Sequence, residues 1–470
     1  MIGWLHELIW GPGMLGLFLC VGILYTIKLR GFAVLGFHRW WKNTVGSLFR
    51  RSGGGHGDPL GTSVGIGHNE PMGTSVGADY GGHKNSGGIS GFQSACTALA
   101  ATIGTGNIAG VATALLAGGP GAVFWMWVSA FLGMATAYGE TELGIRYRRR
   151  DRNGGWLSGA MVYLDEGVGC RWLAVVYAIL CMLASFGMGS MVQSNAISET
   201  FEFAFSMPPF LIGLLLTVLA GKIMAGGAKA IASTAEKMVP ISAAVYMAAS
   251  LGVILLFRHR IPWAFSVIFR DAFSFTSASG GIMGFFVSKC VRYGVARGVF
   301  SNEAGLGSMA ALNGGTDYAE PGMQGQWAIF EVFFDTIVSC TLTAVVVLCA
   351  MGEEMVYYQG NGAELVTRCF SAGLGNLGGY VVSICVALFA FATIIAWYYM
   401  GKQAVTYLDE TIGIRLTGAY LAGYLACVFL GCLGPMEKVW EVSDIFNGMM
   451  AIPNLLALIF LVREVRRPEK

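Results

Sequence analysis

Charged side chains are scarce in this sequence. Of its 470 residues, 12% are Asp, Glu, Lys or Arg, whereas about 25% is usual in soluble proteins. Apolar residues make up 55%, and the mean hydropathy is +0.60. This composition excludes an ordinary soluble domain and predicts a membrane protein with several spans. The net charge of +2 gives no indication of a nucleic-acid partner.

The sequence also lacks the signs of a metal site or a membrane enzyme. It has no H-E-x-x-H motif, and its eleven cysteines include no C-x-x-C pair. All six histidines lie outside the apolar segments, which argues against a histidine proton relay or a buried histidine metal site. We therefore expect neither an enzyme nor a cofactor.

Long apolar runs predict about eleven membrane spans, each close to the length that crosses the hydrocarbon core. The loop 28–51 carries six Lys/Arg and no acidic residue, and 146–152 is also strongly basic. The positive-inside rule then places both loops in the cytoplasm, with the N-terminus outside and the C-terminus in the cytoplasm. We expect a multi-pass protein of a bacterial-type plasma membrane.

The composition along the chain suggests five parts. These are an N-terminal helix with a basic cytoplasmic loop (1–51), a flexible Gly-rich cytoplasmic linker (52–90), two halves of the membrane part, called here the first repeat (91–260) and the second repeat (261–465), and a cytoplasmic tail (466–470). The linker repeats GTSVG, has few apolar residues and cannot form a core. Within the second repeat, 300–325 is predicted as a polar cytoplasmic loop and 353–375 as an external loop.

The segment 91–121 is apolar enough to lie in a membrane, but its centre, Gly104-Thr105-Gly106-Asn107, is a poor helix sequence. Asn107 also brings an amide to the depth of the bilayer, where an unpaired polar group is costly. A broken helix that lines a binding site explains this pattern. The alternative is a glycine face at which helices pack closely.

A second glycine interruption follows at 279–284, five spans later. Because an odd number of spans separates them, the halves that begin with these breaks have opposite topology. Two interrupted segments in corresponding positions indicate an inverted-repeat transporter with its site near the middle of the membrane.

Several polar side chains lie within other predicted spans. For Gln193, the sequence supports a substrate contact and a hydrogen bond between helices equally well. For Asn195 and Glu140, it favours a structural role. Glu331 and Asp335 share one span. One helical face carries Ala390, Thr393 and Trp397, which are spaced three and four residues apart. These side chains either line a binding site or belong to the packed core.

Five stretches identify the family that this chain resembles. They are GTGNIAGVATALLAGGPGAVFWMW, FGMGSMVQSN, RGVFSNEAGLGS, FATIIAWYYMGK and FNGMMAIPNLLAL. They resemble the signature stretches of the alanine or glycine:cation symporters over about 91–465. The resemblance implies a leucine-transporter-like fold, all-α, with two inverted five-helix repeats (91–260 and 261–465) after one extra N-terminal helix. The Gly/His-rich linker departs from the family pattern, and Ile282 stands where the family would have an aromatic residue.

The resemblance also implies a site. The unwound residues Thr105, Gly106 and Asn107 would hold the carboxylate of an amino acid, Gln193 and Trp397 would close the pocket, and Ile282 would form its floor. Sodium would bind between Ala100 and Ile103 on one helix and Ala390 and Thr393 on another.

The function expected from this site is sodium-coupled uptake of alanine or glycine. The alternatives are another small substrate such as serine or D-alanine, proton coupling through Glu140 or Asp335, and, less in keeping with the buried amides, a channel.

Overall fold

The computed structural model describes residues 2–50, 89–273, 289–317, 320–358, 360, 362–413, 415–434 and 437–468. The N-terminal part of the chain forms α1 (Ile2–Ile9), α2 (Pro12–Lys28), α3 (Phe32–Leu35), α4 (Phe37–Asn43), α5 (Val45–Arg50), α6 (Gly91–Thr102), the π-helical turn π1 (Gly106–Gly110), α7 (Val111–Gly118) and α8 (Gly121–Tyr147). An antiparallel pair of short strands, β1 (Arg149–Arg150) and β2 (Trp156–Leu157), follows α8.

The middle of the chain continues with α9 (Ala160–Glu166), α10 (Arg171–Ala184), π2 (Ser185–Met191), α11 (Val192–Phe205), α12 (Pro209–Ala225), α13 (Gly227–Leu256), a 3-10 turn (Arg258–Arg260) and α14 (Ile261–Ala272). The last part comprises α15 (Lys289–Asn302), α16 (Ser308–Asn313), α17 (Pro321–Val332), π3 (Phe333–Cys340), α18 (Thr341–Met351), a 3-10 helix (Gly352–Tyr357), α19 (Gly362–Leu374), α20 (Asn376–Ile412), α21 (Thr417–Gly431) and α22 (Glu437–Leu461).

The spans agree with the hydropathy of the sequence. Seven described helical stretches are long and apolar enough to cross a membrane, and the bent pair Gly91–Thr102 and Gly106–Gly118 makes an eighth. The shorter apolar helices α12 and α21 add two more. These coincide with ten of the eleven predicted spans, and α15 belongs to the eleventh, near 279–297. The protein is thus an all-α polytopic membrane protein.

Two predicted segments lie largely outside the described residues. These are the Gly-rich linker, of which only Ile89 and Ser90 are described, and the glycine interruption at 279–284. Ile282, the predicted pocket floor, falls in the second of them. The predicted linker and the division into repeats at 91–260 and 261–465 therefore stay predictions.

The first predicted break is present. The side chains of Ser90 and Gln93 bond each other's backbone N–H groups at the start of α6. The helix ends at Thr102, because Ile103 takes an extended conformation (φ −78°, ψ 90°). The chain then resumes as π1 and α7 at 49° to α6. The glycines and the amide of this segment therefore interrupt the helix, as the sequence predicted.

Glycine also allows close helix packing elsewhere in the chain. A Cβ atom on Gly139 of α8 would lie 2.0 Å from the ring of Tyr25 on α2. A Cβ on Gly294 of α15 would lie 2.4 Å from the carbonyl oxygen of Ala122. Small residues let helix backbones approach in this way in membranes. Glycines therefore interrupt a helix at 104–106 and allow close helix packing at other positions, such as Gly139 and Gly294.

The two predicted polar loops are largely helical. In place of the loop 353–375 there are a 3-10 helix and α19, and a Cβ on Gly362 would lie 2.5 Å from the carbonyl oxygen of Ala109. In 300–325, α15 and α16 enclose a buried turn. Polar residues can be buried here because they bond one another: the Asn313 amide donates to Glu331 Oε2 at 3.1 Å.

Candidate functional site

The end of α6 lies against α20. The hydroxyl of Thr393 donates to the carbonyl oxygen of Ala100 at 2.9 Å and to that of Phe389 at 3.0 Å. A Cβ on Gly104 would lie 2.8 Å from this hydroxyl, so only glycine fits there without a shift. Carbonyls at the end of a helix lack intrahelical donors and are available to other partners. The structure thus joins two of the predicted sodium ligands, Ala100 and Thr393.

The other two predicted sodium ligands lie beside this contact. Ile103 immediately precedes Gly104, and Ala390 immediately follows Phe389, whose carbonyl accepts from Thr393. Both side chains are buried. Both residues are therefore sequence neighbours of the contact between α6 and α20.

Gln193 reaches the break from α11. Thr105 donates its hydroxyl to Gln193 Oε1 at 3.2 Å, and Gln193 Nε2 donates to the carbonyl oxygen of Met188 at 3.2 Å. The side chain is buried. Asn195, two residues further along, instead donates to the carbonyl oxygen of Gly434 at 3.2 Å. Of the two amides, Gln193 is therefore the one that contacts the break.

Asn107 ties the break to π3. Its Oδ1 accepts from the N–H of Gly104 at 3.0 Å, which closes a local turn over the unwound residues. Its Nδ2 donates to Asp335 Oδ1 at 2.6 Å and to the Asp335 carbonyl oxygen at 3.1 Å. Both the oxygen and the nitrogen of the Asn107 amide are therefore hydrogen-bonded. Asn107 stabilises the conformation of the break in addition to lining it.

Asp335 is the acidic centre of this junction. Its Oδ2 accepts from the hydroxyls of Ser301 and Thr336, each at 2.8 Å. No ion pair involves Asp335 in the part of the chain that the structure describes. Hydrogen bonds therefore compensate its burial. The sequence indicated Asp335 only as an alternative proton carrier and gave no sign of its contact with Asn107.

Trp397 is held from two sides. Its indole Nε1 donates to Glu303 Oε1 at 2.9 Å. At the base of the side chain, a Cβ on Gly189 of π2 would lie 2.4 Å from Trp397 Cβ. Glu303 lies in SNEAGLGS, which carried the resemblance but no assigned role. The only sign of a role for Glu303 in the sequence was that an acidic residue lies within a glycine-rich segment.

Glu140 supports the turn that follows Glu303. Its Oε1 accepts from the N–H of Gly307 at 3.1 Å and from Asn454 Nδ2 at 2.5 Å. This geometry agrees with the structural role that the sequence favoured for it.

The three π-helical turns coincide with the polar contacts. Asn107 lies in π1, Gln193 is the second residue after π2, and Asp335 lies in π3. Such turns leave the regular i to i−4 bonding pattern and frequently occur at functional sites. Hydropathy gave no signal for them.

No cluster of three or more His, Cys, Asp or Glu with metal-binding geometry occurs among the described residues. The expectation that the sequence lacks signs of an enzyme needs one correction, because both GTSVG copies of the linker fit the serine-hydrolase pattern G-x-S-x-G. They lie outside the described residues.

Comparison with known proteins agrees with this architecture. The model of the sodium:alanine symporter family matches residues 69–469. An uncharacterized transporter of Haemophilus influenzae is 39% identical over 97% of this chain and 92% of its own. The sodium/alanine symporter AgcS of Methanococcus maripaludis is 37% identical over 98% of this chain and 94% of its own.

The fold also matches a solved transporter. The crystal structure of MhsT in complex with L-phenylalanine aligns with a TM-score of 0.58 at 14% identity, over 79% of this chain and 88% of that one. At this identity the likeness concerns the fold alone. The chain therefore has the leucine-transporter-like fold.

Proposed function

Because the chain belongs to the sodium:alanine symporter family, we propose that it takes up alanine or glycine with sodium by alternating access. The observation that supports this most is the junction at the break, where Thr105 bonds Gln193 and Thr393 bonds the Ala100 carbonyl. Substrate and ion would thus bind on either side of one unwound turn. We place the protein in a bacterial plasma membrane, with the N-terminus outside and the C-terminus in the cytoplasm.

The amino-acid carboxylate is proposed to bind at Thr105 and Gly106, where the second half of the broken helix begins. The first N–H groups of a helix have no intrahelical acceptor, and the helix dipole places partial positive charge there. An anion is favoured at such a position. Asn107 would keep this end in place through the N–H of Gly104.

Sodium is proposed to bind at the junction of α6 and α20. The Ala100 carbonyl and the Thr393 hydroxyl would turn toward the ion, and the carbonyls of Ile103 and Ala390 would complete a set of oxygen ligands. A set without its own carboxylate suits a monovalent ion that must bind and leave in each cycle.

The pocket is proposed to be small. Trp397, fixed between Gly189 and Glu303, would cap it, and Gln193 would form a polar wall. We keep Ile282 as the floor on the strength of the sequence resemblance alone. Such a pocket would accept a hydrogen or methyl side chain.

Proton coupling is the second candidate. Asp335 is buried in direct contact with Asn107, so a proton on its carboxyl group would act next to the proposed substrate site. Glu140 is further removed, because its hydrogen-bond partners belong to the turn at Gly307 and to α22.

Uptake into proteoliposomes separates the two candidates. We expect an inward sodium gradient to drive accumulation of labelled alanine above its equilibrium level, and a potassium gradient to fail. A pH gradient in sodium-free buffer should also fail. Accumulation driven by that pH gradient alone would reject sodium as the coupling ion and favour Asp335 as a proton carrier.

Replacement of Gln193 by leucine is expected to weaken alanine binding about tenfold, with a small change in thermal stability. Leucine keeps much of the volume but removes the amide that would form the polar wall of the pocket. The lost contact with the amino acid would cost about 1.4 kcal/mol of binding free energy, which is tenfold in affinity. Binding of labelled alanine at saturating sodium measures the effect.

Asn195→Leu is the matched control for this experiment, because it removes an amide from the same helix but away from the break. It should leave the affinity for alanine near that of the parent. Equal affinities for the parent and Gln193→Leu would mean that Gln193 serves only to join helices.

A further inference from the structure

Glu303 makes an unusual contact with the proposed pocket cap. It lies just after α15, is buried, and its Oε1 accepts the indole N–H of Trp397 at 2.9 Å. Tryptophan has this one polar hydrogen and no acceptor, so a buried indole needs one well-placed oxygen. The position of that oxygen therefore helps to determine where the ring lies.

The turn that carries Glu303 is held in place by several bonds. Glu303 has a positive φ of 56°, uncommon for a residue other than glycine, and Gly305 and Gly307 follow with φ of +95° and +86°. A non-glycine residue persists in this region only where its surroundings enforce it. The Gly307 N–H bonds Glu140 of α8, and the Gly305 carbonyl accepts from Asn454 of α22 at 2.9 Å.

A second contact holds the base of the Trp397 side chain. Because Gly189 lacks a side chain, π2 approaches the Cβ of Trp397 directly. The indole is thus fixed at its base by a close backbone contact and at its edge by a hydrogen bond. Without the hydrogen bond, the indole ring could rotate about its side-chain bonds, while the Cβ of Trp397 would stay in place.

We propose that Glu303 is a positioning residue which fixes Trp397 and thereby sets the largest side chain that the pocket admits. This inference rests on the proposed function, in which Trp397 caps the pocket. If the bond to Glu303 is lost, the indole can turn aside, and leucine or methionine gains space beside the break. A hydrophobic pocket discriminates about 10–200-fold for each methylene, so the change should be large enough to measure.

The acceptor oxygen, and not a negative charge, is the essential feature. No ion pair involves Glu303 among the described residues, and a buried charge without a partner is strongly unfavourable. Glutamine offers the same oxygen at the same distance along the side chain without a charge. Methionine has a similar length and no comparable acceptor.

The test compares Glu303→Gln, Glu303→Met, Trp397→Phe and the double variant Glu303→Met/Trp397→Phe. Each is reconstituted, and unlabelled leucine and alanine compete with labelled alanine at saturating sodium. The readout is the ratio of the two inhibition constants. Glu303→Gln should keep the parent ratio, and Glu303→Met should reduce the preference for alanine about tenfold. The double variant should resemble Trp397→Phe, because the two residues act through one bond.

The possible failures are distinguishable. If Trp397→Phe changes the ratio while Glu303→Met does not, the pocket assignment stands and the positioning role is wrong. If neither Trp397→Phe nor Glu303→Met changes the ratio, the assignment of Trp397 to the pocket fails as well. Should Glu303→Met not accumulate, Glu303→Asp provides the same test, because it withdraws the acceptor by one methylene and keeps the carboxyl group. An unchanged ratio in Glu303→Asp would then overturn the proposal.

Discussion

Replacement of Asn107 by alanine is expected to abolish measurable alanine binding and also to lower the melting temperature of the solubilised protein. The change removes the acceptor for the Gly104 N–H and the donor to Asp335. Each buried group left unpaired costs about 1–3 kcal/mol, and more where it is charged. Because these bonds shape the break and join it to π3, both the site and the fold depend on them.

The joint loss of binding and stability distinguishes a residue that shapes the site from one that only contacts the substrate. A residue that only contacts substrate would lose affinity and keep its melting temperature. Labelled-alanine binding at saturating sodium and a thermal unfolding curve in detergent measure the two effects on the same sample. Asn195→Ala is the control, since it removes a buried amide bonded to Gly434, away from the break.

Two outcomes would contradict this interpretation of Asn107. Parent-like affinity would move the carboxylate site away from the unwound residues. An unchanged melting temperature with lost binding would mean that the bond between Asn107 and Asp335 contributes little to the folded protein.

Replacement of Thr393 by valine is expected to raise the half-saturating sodium concentration by about tenfold or more, while binding at saturating sodium stays near that of the parent. Valine has nearly the shape of threonine but lacks the oxygen that meets the Ala100 carbonyl. A tenfold effect corresponds to about 1.4 kcal/mol, which is within the usual range for one hydrogen bond or ligand. The loss should therefore appear in the ion dependence first.

Alanine binding titrated with sodium at constant ionic strength measures this shift. Thr406→Val is the matched control, because its hydroxyl lies on the same helix and bonds within it, to the Lys402 carbonyl at 2.8 Å. The sodium dependence of this variant should equal that of the parent. If the half-saturating concentration is also unchanged in Thr393→Val, Thr393 is not a sodium ligand.

Features that depend on the composition of one segment were predicted from the sequence. The spans follow from apolar runs, because lipid accepts only segments whose polar groups are few and satisfied. The break at 103–105 follows from glycines and an amide at the centre of such a run. The resemblance to a transporter family added the expectation that Gln193, Thr393 and Trp397 come together near this break.

Features that depend on which segments become neighbours were decided by the tertiary structure. Asn107 and Asp335 are 228 residues apart, and Trp397 and Glu303 are 94 apart. Nothing in either local sequence indicates its partner. The same holds for the buried turn after α15 and for α19, which hydropathy placed in polar loops. Hydropathy reports the preference of each segment for lipid or water, whereas a buried polar group is stable only beside the group that bonds it. Such pairs therefore appear only once the helices have packed.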